Sequence, residues 1–431
     1  MSPSHDSPLR IAICGGGIGG LALALILKRF AGAKPLAVDL YEAESDFTEI
    51  GAGITLWDRP RSIFYELGLE DELKPLIRDG GLVCRKSDTP QPFVFHELTA
   101  RNGTLGLPRM DTVQLLLRAL SSGPGPSDLI SKHFSKCLES YTQDAAGVTL
   151  RFKDGSTASA DVLVGADGIG SPTRRTMFTE LAARARKTDA KQAEELEKLG
   201  MPTFTGTYMY RTLIDGNKLR AISPNNVSLK GSMVFTGLEK AAITYPISPS
   251  VVNVGLIWVQ PEEFGQPRQT HSVTPASKQD VIDLVKGWED DIQKVAEEDV
   301  TKWALSQVRL PQFVDGRVAL LGDSAHAMLP HIGTGAGQAI EDAYILGQLL
   351  TQPSVTASNL SKVLEIYDTI RRPIAHQASD YVDVEKLKAN DKEEFKKIGR
   401  EMESIWGFHY ANLPREDWAR AKELFDKLQL D

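Results

Sequence analysis

One short segment constrains the fold of this chain more than any other. An apolar run, Leu9 to Cys14, leads straight into Gly15-Gly-Gly-Ile-Gly-Gly20 and then a helical run from about Gly19 to Phe30. Leu36 to Tyr41 reads as a second strand, closed by Glu42. Strand, glycine turn, helix and strand over this length make a β-α-β unit, which belongs in a parallel sheet. Within it, Gly15-x-Gly17-x-x-Gly20 has the spacing of a dinucleotide-binding turn. The first glycine closes the turn, the second admits a pyrophosphate against the backbone, and the third lets helix and strand pack closely. A glycine triplet alone is weak evidence. Glu42 strengthens it, standing about twenty residues on at the tip of the next strand, where a carboxylate accepts ribose hydroxyls. Glu44 is the alternative for that role, and Asp39 reads as structural.

Further along, Val148, Leu150 and Phe152 alternate before an Asp154-Gly155 hairpin turn, and Val162 to Val164 is a buried strand. Glu180 to Gly200 reads as one exposed helix between domains. From Thr203 to Gln260 the period changes to two, as expected of a mainly antiparallel sheet. Lys278 to Glu298 is predicted helical, Val318 to Leu321 a buried strand, and the remainder helical. The expected architecture is α/β. A Rossmann-like, discontinuous dinucleotide-binding domain with a parallel sheet (1–80, 107–200, 308–375) receives an inserted, mainly antiparallel substrate domain (81–106, 201–307). A C-terminal helical region (376–431) follows.

A net charge of −8 without a Lys/Arg cluster speaks against nucleic acid and anionic membranes as partners. It leaves room for a small anion, because one buried arginine reverses the local field. Cys14, Cys84 and Cys137 form neither a disulfide framework nor a zinc pattern, and fit a reducing compartment. The polar start of the chain has no signal-peptide core, and the apolar run Leu21 to Leu27 stops at Lys28-Arg29, far short of a membrane span. A cytoplasmic protein is expected.

Two more constellations carry chemistry. In Asp161-Val-Leu-Val-Gly-Ala-Asp-Gly-Ile-Gly-Ser-Pro-Thr-Arg174, Asp167 and Gly168 end a buried strand, which alone reads most simply as a turn. In the stretch from Leu321 to Asp342, Asp323 ends a strand and is suited to a polyol chain. Gly333, Gly335 and Gly337 form a loop running into a helix that begins near Ala336. His326 and His331 lack a clustered third ligand, so no metal is expected. Glu341 and Asp342 read as support for the first turns of that helix.

Taken together, the three motifs resemble those of the single-component aromatic-ring-hydroxylating flavoprotein monooxygenases, the group of 4-hydroxybenzoate and salicylate hydroxylases. The resemblance spans roughly residues 9 to 375. Two smaller signatures agree with it: Glu49-Ile-Gly-Ala-Gly-Ile54, and Arg109 with Asp111 at a helix start. Pro330-His-Ile-Gly-Thr-Gly-Ala-Gly-Gln338 and Trp406-Gly-Phe-His-Tyr410 look like the salicylate hydroxylases and their fungal relatives; the second also reads as a hydrophobic anchor for the C-terminal helices. One departure is Trp57-Asp-Arg-Pro-Arg61, where relatives carry a Pro-Asn or Ala-Asn pair; unusual substrate or NAD(P)H contacts are expected there.

The resemblance implies tightly but non-covalently bound FAD, held by Gly15, Gly17, Gly20, Glu42, Ala52, Gly53, Arg109, Asp167, Asp323, Gly335, Ala336 and Gly337. It implies NADH or NADPH and O2 as co-substrates of a monomer or homodimer. NAD(P)H reduces the flavin, oxygen adds at its C4a position, and the terminal oxygen passes as an electrophile to a phenolate ring. Arg211 and Tyr245 align with substrate-facing residues of phenol-hydroxylating relatives, and Pro330 and His331 are further substrate candidates. The same cofactor fold serves epoxidases and reductases of non-phenolic substrates, which remain the alternative. The Trp-x-Trp-x-Ile-Pro signature of halogenases is absent.

Overall fold

The computed structural model describes residues 7–428 apart from 48–52, 79, 101, 249, 267–272, 296–299, 331–332, 380–390 and 408–412. Its first sheet runs in the order Val314–Asp315, Val318–Leu320, Val162–Gly165, Leu9–Cys14, Leu36–Tyr41, Ile130–His133, parallel except at the first pair. Ile11, Ile13, Val162, Leu163 and Val164 are completely buried, because helices cover both faces of such a sheet. The helices Ile18–Phe30 and Gly335–Leu350 pack closely at glycines: a Cβ on Gly347 would lie 2.5 Å from the Ile26 side chain. Cys14 pairs with both Gly165 and Tyr41, and Gly165 with Leu320. That register brings the three motif loops out at one edge, the carboxyl ends of the strands, where open α/β sheets bind ligands.

The second sheet has eight strands, in the order Val273–Ala276, Val300–Gln307, Thr203–Asp215, Val251–Val259, Lys240–Ser248, Ser232–Gly237, Gly81–Lys86, Phe93–Thr99. Only the pair Ser232–Gly237 and Gly81–Lys86 is parallel. Alternation sorts its faces. Tyr208, Tyr210, Val252, Val254 and Leu256 enter a core with Val281, Trp288 and Ile292. On the other face, Cys84, Phe95, Leu98 and Val234 pack against Phe395, Ile398 and Trp406 of the helix Lys392–Gly407. Trp406 is thus an internal anchor, and residues 408–410 of its motif lie outside the described residues.

Two expectations about elements are corrected, and one strand carried no signal in the sequence. The segment from 180 to 200 is not one helix but the end of Pro172–Ala185 and a separate Ala190–Leu199, restarted by Asp189, whose side chain caps the new N-terminus. Lys278–Leu284 and Asp290–Gln293 are two short helices rather than a continuous one. Val300–Gln307 is a strand that polar Thr301, Lys302 and Gln307 disguised; it pairs with Thr203–Asp215 on one side and Val273–Ala276 on the other.

Candidate active site

At the nucleotide end, Gly15 has φ +112°, donates its N–H to Tyr41 O at 2.8 Å, and a Cβ there would lie 2.1 Å from Ala166 O. No residue with a side chain fits. A Cβ on Gly20 would lie 2.0 Å from Gly15 O, so the third glycine is demanded by the same turn. Gly17 precedes the helix Ile18–Phe30 with no side-chain cap, leaving first-turn N–H groups available. Glu42 accepts hydrogen bonds from Gly16 N at 2.7 Å and Glu44 N at 2.9 Å, fastening the turn to the strand end. Glu44 itself is exposed, and Asp39 pairs with His133 at 2.7 Å. Phe47, which no sequence signal singled out, covers Gly16: a Cβ there would lie 2.5 Å from its ring.

The second and third motifs meet this turn. Asp167 is pressed against Gly15, and its Oδ2 accepts from Thr173 N at 3.0 Å and Thr173 Oγ1 at 2.6 Å. Its buried Oδ1 has no partner among the described residues. Burial pushes this carboxyl above its ordinary range, against hydrogen bonds from Ser171 and Thr173. Asp323, exposed, makes no hydrogen bond among the described residues. Its Oδ1 lies 4.0 Å from where a Cβ on Gly335 would stand. The helix Gly335–Leu350 therefore starts beside Asp323, with the N–H groups of Gly335, Ala336 and Gly337 unclaimed within the helix. Gly337 is hemmed in by Pro60 Cγ at 3.0 Å, whereas a side chain on Gly335 would meet nothing closer than 3.7 Å. Gly53 pairs with Pro108 across a two-stranded ribbon, which places Arg109 at the next residue. Pro330 is exposed; Ala52 and His331 lie outside the described residues.

An orphaned carboxylate oxygen, a glycine cradle that excludes side chains and two helix N-termini at one sheet edge suit a dinucleotide: backbone donors for phosphates, carboxylates for hydroxyls.

Arg174 is fully buried and donates to the carbonyls of Ile169 at 2.5 Å, Ser324 at 3.1 Å and Gly200 at 3.3 Å, so it braces loops rather than meeting a ligand. Glu341, Asp342 and the Trp57–Arg61 segment behave differently from expectation. Glu341 and Asp342 sit past the first turn and inside the protein, where bare carboxylates are untenable. Glu341 binds Arg59 at 2.8 Å and Arg371 at 3.0 Å. Asp342 binds Arg371 at 2.8 Å and His326 at 2.5 Å. Burial alone would raise Asp342, but His326 and Arg371 more than offset it and hold it at about 2. Arg59 also reaches Asp417 at 2.5 Å, tying the helix Pro414–Lys427 to this cluster. Arg61 pairs with Asp58. Arg59 and Arg61 of this departing segment are thus internal braces, while Trp57 and Asp58 are half-buried. Among the described residues there is no group of three metal-ligating side chains.

The opposite wall is the large sheet. Arg211, on Thr203–Asp215, is half-buried; among the described residues its guanidinium makes no hydrogen bond or ion pair, and the Trp303 ring lies 5.8 Å from it. Burial lowers its pKa and neighbouring Tyr245 partly opposes this; burial raises Tyr245 and Arg211 partly opposes that. The Tyr245 hydroxyl lies 4.0 Å from where a Cβ on Gly53 would stand. Tyr245 therefore brings this sheet face against the Gly53 ribbon.

A parallel sheet gathering three such loops, closed by an antiparallel sheet, defines a flavin-dependent oxygenase fold. The family described as an FAD binding domain matches residues 9–382, and the chain belongs to it, as one of the FAD-dependent aromatic monooxygenases. It is 31% identical over 409 residues to an FAD-dependent monooxygenase of Strobilurus tenacellus, covering 86% of each chain. It is 32% identical over 393 residues to a salicylate hydroxylase of Pseudomonas putida, covering 85% of this chain and 83% of that one. The structure of a salicylate hydroxylase substrate complex superposes with a TM-score of 0.77 at 28% identity, covering 96% and 98% of the two chains. No helix among the described residues is long and apolar enough to cross a membrane.

Proposed function

We propose that this chain inserts one oxygen atom of O2 into a small phenolic or aromatic-acid substrate, with NADH or NADPH as the electron donor, acting as a monomer or homodimer. One oxygen atom enters the ring and the other leaves as water, the two electrons coming from NAD(P)H. Bound in the cleft, FAD supplies acceptance of those electrons and activation of O2. Arg211 carries the reading. A half-buried guanidinium without a carboxylate partner among the described residues, beside Tyr245 whose hydroxyl reaches the Gly53 ribbon, is suited to an anion brought by the substrate.

Arg211 holds the phenolate or carboxylate, and Tyr245, kept protonated by burial, donates a hydrogen bond to it. In the cofactor cradle, Gly15, Gly17 and Gly20 take the pyrophosphate, Glu42 the ribose, and Asp167 and Asp323 further hydroxyls. Gly53 and Arg109 flank the cofactor from the ribbon. The N-terminus of Gly335–Leu350, at Gly335, Ala336 and Gly337, favours the negative charge of the reduced cofactor. The helix Lys392–Gly407 covers the end of the same sheet face and helps exclude water.

The test is a screen of phenols and hydroxybenzoates for stimulated NADH and NADPH oxidation, with product identification. Stoichiometric hydroxylated product is expected from at least one of them, and analysis of that product shows whether a carboxyl group is lost. Oxidation unaffected by every aromatic, with turnover of an alkene or isoprenoid instead, would replace this reading.

A further inference from the structure

The register of the large sheet places two more residues on the face that carries Arg211. Directly opposite residues of antiparallel strands share a face. Gly255 lies between Arg211 and Ile243, and Asn253 lies between Leu213 and Tyr245. Their neighbours Val252, Val254 and Leu256 point the other way, into the core behind the sheet. Asn253 is only 5% exposed, and its amide makes no hydrogen bond among the described residues. Neither amide atom is among the buried polar atoms left without a partner, so the little exposure that Asn253 keeps includes its amide, which is open to a ligand in place of water. Leu213 beside it is 59% exposed, so the row opens toward the outside. Gly255 has no side chain where its neighbours do, and a Cβ there would meet Met209 Cε at 3.5 Å, an ordinary contact. The backbone does not demand glycine; the gap it leaves lies between Arg211 and the Asn253–Tyr245 pair.

Resting on the aromatic-hydroxylase reading above, we propose that Asn253 is a specificity-determining residue. The preferred substrate is an aromatic anion bearing a second hydrogen-bonding substituent. Arg211 takes the anionic group, the Asn253 amide takes the second substituent, and the ring lies over Gly255. A carboxamide both donates and accepts, so it serves a hydroxyl or an amino group. Losing the bond penalises substrates that carry the group and leaves those without it untouched.

The test uses the FAD-loaded enzyme with benzoate and the three monohydroxybenzoates as probes, binding being followed by the flavin absorbance change. For Asn253→Leu, the hydroxybenzoate that binds wild type best should weaken by about tenfold, while benzoate binding and FAD content stay unchanged. Asn253→Ser, which keeps a donor and acceptor, should recover part of the loss. Gly255→Ala, which the fold accommodates, should weaken all four ligands without loss of FAD. Equal weakening of benzoate and hydroxybenzoate by Asn253→Leu, or no weakening of either, overturns the role of Asn253. Failure of wild type to bind or respond to any aromatic acid overturns the underlying reading instead, and this inference with it.

Discussion

Two arginine environments in this protein differ in what completes them. Beneath the helix Gly335–Leu350, Arg59 and Arg371 are fully buried, and each meets two carboxylates drawn from Glu341, Asp342 and Asp417. On the large sheet, Arg211 is half-buried, with the Trp303 ring and Tyr245 near it and no carboxylate partner among the described residues. The first cluster is closed: each of its charges is paired within the protein, and the pairs hold two helices to the cofactor side. The second holds a cation with no ion pair among the described residues. A cation that the fold has already neutralised is structural, whereas one that it partly desolvates and leaves unpaired is suited to an anion from outside.

Stability separates the two most sharply. Arg59→Met leaves Glu341 and Asp417 short of a buried cation and should lower unfolding free energy by about 3–5 kcal/mol, read from denaturant unfolding of the FAD-loaded protein. Arg211→Met should change it by less than about 1 kcal/mol, because no buried carboxylate is orphaned. Comparable losses in both would erase the distinction.

The next effect concerns the cofactor wall. Glu42→Ala should weaken FAD by about 1.5–3 kcal/mol, or roughly 10- to 150-fold, measured by flavin fluorescence on titration into the stripped protein. Asp323→Ala should likewise lose flavin. Gly335→Val, whose Cβ would meet nothing closer than 3.7 Å, should keep the apoprotein's melting temperature while blocking FAD; normal loading would show that the first turn of that helix is not a flavin contact.

Acid should act on the closed cluster rather than on Arg211. Asp342 is held at about 2, below its ordinary 3.8, so its contribution is complete above the ordinary value and is lost as pH falls through about 2. Replacing it by Asn should flatten the pH dependence of stability between about 4 and 2. The smallest change is Tyr245→Phe, which removes one neutral hydrogen bond and should reduce substrate affinity by about 0.5–1.5 kcal/mol with FAD content intact.

Much of the cofactor side was legible in the sequence, because its constraints are local. Leu9–Cys14 and Leu36–Tyr41 are apolar runs buried on both faces, and the clash distances at Gly15 and Gly20 arise within one turn and its neighbouring loop. The closed cluster was not legible. Arg59 meets partners about 280 and 360 positions away in the chain, so which cation neutralises Glu341 depends on how helices dock. The Arg59 segment therefore read as an altered contact surface. Asn253 was passed over for a related reason: alternation in Val251–Val259 shows that it differs in face from Val252 and Val254, but only the neighbouring strands reveal that its face is the one bearing Arg211 and Tyr245.

The central claim, that Arg211 holds the substrate anion, is tested most directly by comparing wild type with Arg211→Ala at measured FAD occupancy. Each is titrated with the best-binding hydroxybenzoate, and its product yield per NAD(P)H is followed. Affinity and coupled turnover should fall by about 10- to 150-fold, as for loss of a charge-assisted hydrogen bond, while FAD content and melting temperature stay at wild-type values. Full coupled turnover in Arg211→Ala, at the same ligand affinity, would contradict the claim.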